Sequence, residues 1–180
     1  MKDSALSIAN YFIDLAHSQG KDIKPLRLMK LVYIAHGFML AILNRSVLNP
    51  RFDKVEAWKY GPVIPSVYHS FKIYGNKPIM KKTTIFTSEQ DDKRNVNVDI
   101  VEPILEDEGA KKICNFVYLR YKNFTDWQLV DFLHKPQSPW GLSYKEGENN
   151  EIPDLYTKVY FKKLVESMAK NVIDGKTKDR

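Results

Sequence analysis

Most of the chain's apolar positions recur at helical spacing. In "SALSIANYFIDLAH" (4–17), Ala5, Ile8, Ala9, Phe12, Ile13 and Ala16 form one stripe of a helix, and Gly20 ends it. "KPLRLMKLVYIAHGFMLAIL" (24–43) opens on Pro25, suited to a first helical turn. Its apolar residues cover nearly the whole circumference, with Leu28, Leu31, Val32, Ala35, Met39 and Ile42 on one side and Leu26, Met29, Tyr33, Leu40 and Leu43 on another. Such a helix belongs at the centre of a bundle. Gly37 costs it about 1 kcal/mol against alanine, which predicts a neighbouring element packed close there. Residues 107–124 place Ala110, Ile113, Cys114, Val117, Tyr118 and Tyr121 on one face. Thr125 and Gln128 form a capping box for a helix over 125–135, with Trp127, Val130 and Leu133 at helical spacing behind it. Ser138 and Pro139 set a further helix start, and a last helix follows Pro153.

Strand spacing is confined to short pieces. "KVEAWKY" (54–60) alternates, with Trp58 and Tyr60 on one side, and Pro62 and Pro65 are expected to halt any ladder there. A helix follows from Ser66, with Val67, Phe71 and Tyr74 at helical spacing and Gly75 past its end. The β-prone pieces "TTIFT" and "NVNVDIV" flank a polar "SEQDDKRN", which predicts a hairpin or a mobile edge. The fold class is therefore mainly α (α+β). The expectation is one helical bundle over residues 1–170 around a central apolar helix, with short strands near 47–60 and 83–99 and a frayed tail at 171–180.

Charge adds partners to consider. The chain has 180 residues and a net +6, unevenly spread. Residues 1–82 carry 13 basic and 5 acidic side chains, 83–110 carry 2 and 8, and 111–180 carry 13 and 9. A basic body could attract nucleic acid, but the lysines are scattered and no zinc-finger, RNP or basic-zipper pattern is present. Arg27, Lys30 and His36 interrupt the longest apolar segment, and no leader precedes it, so a cytoplasmic protein without a membrane span is expected. The single cysteine, Cys114, has no partner for a disulfide and reads as a small buried apolar residue.

The ionisable residues offer little chemistry. His17, His36, His69 and His134 show no i, i+4 pairing, and there is no HExxH, GxGxxG, GxxxxGK[ST] or GxSxG. Ser138 lies near His134, but a proline directly after a serine is what a helix cap needs. Glu106, Asp107 and Glu108 suit a helix start. No cofactor and no metal are expected. The aromatic residues say more: Trp58, Tyr60, Tyr68, Phe71, Tyr74, Trp127 and Trp140 suit either a core or an interface.

"LMKLVYIAHGFMLAI", "VEAWKYGPVIPSVYHSFKIYG" and "LVDFLHKPQSPWGLSYKEGENNEIP" occur in this order and cover most of residues 5–165. With their W-x-Y-G-P-V-x-P-x-x-Y and H-x-x-x-S-P-W blocks, they resemble the Panacea family of SocA-like antitoxins, also known as phage-associated GepA-type proteins. The matching positions are Lys30, Tyr33, Trp58, Tyr60, Gly61, Pro62, Val63, Pro65, Tyr68, His134, Ser138, Pro139 and Trp140. The resemblance implies a mostly helical domain that neutralises an adjacent toxin protein by direct contact. It attaches no catalytic residues, so the chain is read as a non-enzyme. In one branch such a domain delivers its toxin to a protease as an adaptor, which makes a protease a second partner to test. Self-association into a homo-oligomer stays open. Competing readings from other classes are a nucleic-acid-binding protein and a hydrolase using His134. Many motif positions mark scaffold rather than toxin contact, and the acidic 83–110 segment is a candidate for covering a toxin's basic cleft.

Overall fold

The computed structural model describes residues 3–90 and 96–178. Among them are seven α-helices: α1 (Ala5–Ser18), α2 (Pro25–Phe38), α3 (Pro65–Phe71), α4 (Glu108–Tyr121), α5 (Asp126–Leu133), α6 (Pro139–Ser143) and α7 (Asp154–Lys178). Five short strands accompany them: β1 (Glu56–Trp58), β2 (Gly61–Val63), β3 (Ile85–Gln90), β4 (Val96–Val101) and β5 (Asn150–Glu151). The class is mainly α with a small β component. The expectation of a frayed tail at 171–180 falls partly outside the described residues.

Helix α2 is the hub. It packs against α1, α4, α5 and α7, and its residues from Leu28 to Phe38 are nearly all buried. The segment Pro25–Leu43 is long and apolar enough to cross a membrane, but two-thirds of its most apolar window (67 %) is buried among the other elements. Every residue of the α1 stripe, from Ala5 to Ala16, is buried against it. The predicted face of α4 is buried residue for residue, and Cys114 lies in it with its thiol pKa pushed up by burial. At Gly37 a Cβ would stand 2.4 Å from the Phe161 ring of α7. The close neighbour inferred from the sequence is therefore that ring, which also meets Tyr33 and Phe38 edge-on at 6.0 and 5.1 Å.

The structure corrects the sequence reading in four places. The 24–43 segment is not one uniform α-helix: after Phe38 the backbone winds as a π turn over Met39–Leu43, ending at Asn44 with φ +57°. The wider turn keeps Met39 and Leu40 buried while Ile42 faces solvent. Pro62 does not halt the ladder. Gly61–Val63 is a strand paired with β1, Ala57 opposite Pro62, at the edge of a sheet ordered β2–β1–β5. An edge position tolerates proline because its missing N–H faces away from the partner strand. Tyr60 lies in the turn beyond β1 rather than on the strand beside Trp58. Trp127, in the first turn of α5, does not share the buried face of Val130 and Leu133: it is 61 % exposed and meets Tyr60 edge-on, while Leu129 takes the buried place.

Local chemistry sets the helix ends. Thr125 Oγ1 accepts the Gln128 N–H at 3.1 Å and Gln128 Oε1 accepts the Thr125 N–H at 2.7 Å, completing the expected capping box. Ser4 and Ser7 make an equivalent box on α1. The buried Asp53 carboxylate accepts from the Ala5 and Asn49 N–H groups and the Ser66 hydroxyl, joining α1, the 44–53 loop and α3. Arg27 donates to the carbonyls of Tyr121, Lys122 and Phe124, closing the C-terminal end of α4.

Candidate functional site

The β1–β2 turn gathers most of the motif residues. Strand β1 ends at Trp58, and the chain reverses through Lys59 and Tyr60 into Gly61 at φ +99°. That region of φ is open to glycine and costly for other residues. Space imposes the same demand. A Cβ on Gly61 would stand 2.9 Å from Lys30 Nζ and 3.0 Å from His134 Nε2. Two nitrogens from distant parts of the chain therefore converge on one glycine.

Each is positioned by its own element. Lys30 lies mid-way along α2, fully buried, and its Nζ donates to the Pro62 carbonyl at 3.0 Å. His134 caps the C-terminus of α5, and its ring stacks on Trp140 at 3.9 Å and 10°. Trp140 stacks in turn on Tyr144 and donates its indole N–H to the Trp58 carbonyl at 2.8 Å. Ser138 holds this corner: its hydroxyl donates to the Leu133 carbonyl at 2.7 Å and accepts the Gly141 N–H at 3.1 Å. It is a cap, as the following proline predicts, and not a nucleophile paired with His134. Pro139 is buried behind it. Across the turn, the Trp58 ring meets Tyr68 edge-on at 4.8 Å, and its N–H donates to Glu56 Oε2 at 2.7 Å. Val63 is buried and Pro65 occupies the first turn of α3. Tyr33 is the outlier: its hydroxyl pairs with the buried Thr157 of α7 at 3.3 Å.

The electrostatics of this corner are unusual. Burial pushes the Lys30 ammonium down to about 7, and among the described residues no carboxylate pairs with it. The half-buried His134 ring is also held below the ordinary imidazole range. Burial is the main cause and the Lys30 charge the second, against weaker opposing pulls from Asp131 and the Tyr60 carbonyl. His134 Nε2 is buried with no hydrogen-bond partner among the described residues. A lysine and a histidine converging on one glycine could exchange protons, but Lys30 is 0 % exposed and Nε2 is sealed, so no substrate reaches either nitrogen. The exposed part of the corner is aromatic: Tyr60 and Trp127 stand outside it.

The other histidines are structural or exposed. His36 is held by Ser46 Oγ at 2.8 Å and Asp154 Oδ1 at 3.0 Å, and the same contact holds the Asp154 carboxyl below its usual range. His17 Nε2 meets the Ile79 carbonyl at 3.1 Å, and His69 is exposed. Among the described residues, no three His, Cys, Asp or Glu side chains are grouped to hold a metal ion.

The family model for the Antitoxin SocA-like, Panacea domain matches residues 28–141, more than half of the chain. The chain belongs to the SocA-like, Panacea-domain antitoxin family. It is also 33 % identical over 140 residues to Antitoxin SocA of Caulobacter vibrioides (strain NA1000 / CB15N), covering 77 % of this chain and 69 % of that protein. No solved structure matches it. The Panacea match runs from α2 to α6 and so contains Lys30, Gly61, His134 and Trp140 together with the β3–β4 hairpin.

Sequence reasoning missed Asp53, Asn10, Arg27 and Gly141. A Cβ on Gly141 would stand 2.5 Å from the Pro136 carbonyl oxygen. Its place between Trp140 and Leu142, beside a serine cap, is the one local signal that could have raised it. Asp53, Asn10 and Arg27 work across 48 to 97 residues of sequence and leave no local pattern.

Proposed function

We propose that this chain is a cytoplasmic antitoxin that neutralises a cognate toxin by direct protein contact and has no catalytic activity of its own. The observation that carries this reading is how the family motif is used. Lys30 and the Nε2 of His134 are sealed beneath a glycine turn, and the two motif tryptophans pack on Tyr68, His134 and Tyr144 and are tied together through the Trp58 carbonyl. A motif spent on a scaffold fits a binding module whose specificity lies on other surfaces, whereas an enzyme's motif would open onto a cleft. The antitoxin name of its 33 % identical relative points the same way. The partner is then the protein encoded beside this chain.

Co-expression tests it. Inducing the neighbouring gene alone should arrest growth, and adding this chain should restore it while toxin abundance stays constant. A non-toxic neighbour, or a toxic one that this chain leaves active, would overturn the proposal. A toxin half-life that falls when this chain is present would replace occlusion with delivery to a protease.

A further inference from the structure

The β3–β4 hairpin carries its apolar residues on the outside. The register sets Phe86 opposite Ile100 and Ser88 opposite Val98, so Phe86, Val98 and Ile100 share one face. That face is turned to solvent: Phe86 is 76 %, Ile100 65 % and Val98 60 % exposed. On the other face, Ile85, Thr87 and Val101 are half-buried. An antiparallel pair shaped by solubility alone would do the reverse, with its polar set outward. Two strands by themselves bury too little surface to be stable in water, and β3 and β4 form a sheet of two.

The root of the arm is firmly held. The buried Asn10 amide donates to the Thr83 carbonyl at 3.0 Å on one leg and the Pro103 carbonyl at 3.1 Å on the other, and its Oδ1 accepts the Thr83 N–H at 3.0 Å. Lys82 pairs with both Asp14 and Glu102. A bare apolar face is thus presented from a fixed base.

We propose that this face is the toxin-docking surface, an inference that rests on the antitoxin reading above. Its occupant is a protein that offers an apolar pocket rimmed by basic side chains. Charge selects that chemistry. The hairpin and its legs, residues 83–102, carry 5 acidic and 2 basic side chains, a net −3 in a chain of +6, which leaves +9 on all other residues. Asp99, opposite Thr87, is exposed on the other face of the hairpin, and Glu102 follows at the exit of β4. An acidic arm repels nucleic-acid phosphates and anionic lipid headgroups, and it steers a basic protein surface toward itself. Phe86 and Ile100, paired across the strands, are the anchors such a pocket would take.

The test is titration calorimetry and stopped-flow binding of the purified chain against the protein encoded by the adjacent gene. Phe86→Ser/Ile100→Ser should weaken binding at least about 30-fold, with thermal stability unchanged because both side chains are exposed. Asp99→Lys should lower the low-salt association rate about tenfold. Leu155→Ser/Val159→Ser, on the exposed side of α7, should bind as the parent does. If Phe86→Ser/Ile100→Ser binds and neutralises normally, the docking assignment is overturned while the antitoxin reading stands. If the parent chain itself neither binds nor neutralises the neighbour, both are overturned together. A parent dimer in sedimentation that the double variant dissociates would instead mean that a second copy covers the face, which also overturns the assignment.

Discussion

Gly61 shows how one residue can be required twice over. Its φ of +99° excludes side chains on backbone grounds, and the Lys30 and His134 nitrogens exclude them on spatial grounds. The second constraint is the firmer, because Lys30 Nζ is tethered to the Pro62 carbonyl and the His134 ring is clamped by stacking on Trp140. Neither can withdraw without breaking a contact that holds another element. Gly61→Ala should therefore add a strain of roughly 1–2 kcal/mol to an overpacking cost of about 1–3 kcal/mol. Urea unfolding would measure it, and a loss under about 1 kcal/mol would show that the turn relaxes freely. From sequence, the glycine and its neighbouring prolines mark a turn. What the turn covers depends on residues about 30 and 70 positions away, so the pairing of Lys30 with His134 was not legible.

At the scale of elements, local periodicity carried the helices. The stripes of α1 and α4, the capping box of α5 and the serine–proline start of α6 are set by residues within one or two turns, and the structure agrees with each. Elements whose form depends on a distant neighbour were read less well. Strand β2 contains a proline and exists because β1 offers it an edge, and Trp127 leaves the core because Tyr60 receives it outside. A hairpin was one of two expectations for this stretch, beside a mobile edge, and its orientation was not foreseen, since that is set where its legs meet Asn10. Removing that amide should loosen the arm selectively. Asn10→Ala leaves the Thr83 N–H and the Thr83 and Pro103 carbonyls without their partner. At about 1–3 kcal/mol for each buried group left unpaired, the variant should lose roughly 3 kcal/mol. Amide exchange should rise first in β3 and β4. Exchange rising equally in α1, α2 and α4 would mean that the amide supports the whole core rather than the hairpin root.

For the whole molecule, the consequence of the buried corner is a stability that depends on pH in an unusual direction. The Lys30 ammonium titrates near 7 in the fold and near its ordinary value, about 10.4, when the chain is unfolded. Between these values the unfolded chain holds a proton that the folded chain has released, so this lysine makes stability rise with pH. Its cost is fully present below pH 7 and fades above it. Several groups act in the opposite sense at higher pH, the Cys114 thiol first and the buried tyrosine hydroxyls after it. Burial raises the Cys114 thiol and the Tyr33 hydroxyl, so the folded chain keeps protons that the unfolded chain loses above about 8.5 and 10 respectively. The window that isolates Lys30 is therefore pH 7 to 8.5, where the gain should be on the order of 1–2 kcal/mol, flattening beyond it as Cys114 begins to oppose. Lys30→Met, which keeps the buried stem but not the charge, should abolish the rise. If the parent is equally stable at pH 7 and 8.5, Lys30 is charged in the fold and has a counter-charge or water to hold it. If the rise persists in Lys30→Met, its origin lies outside this corner, because the lowered pKa of His134 confines that ring's own effect to pH below its ordinary value of about 6.5.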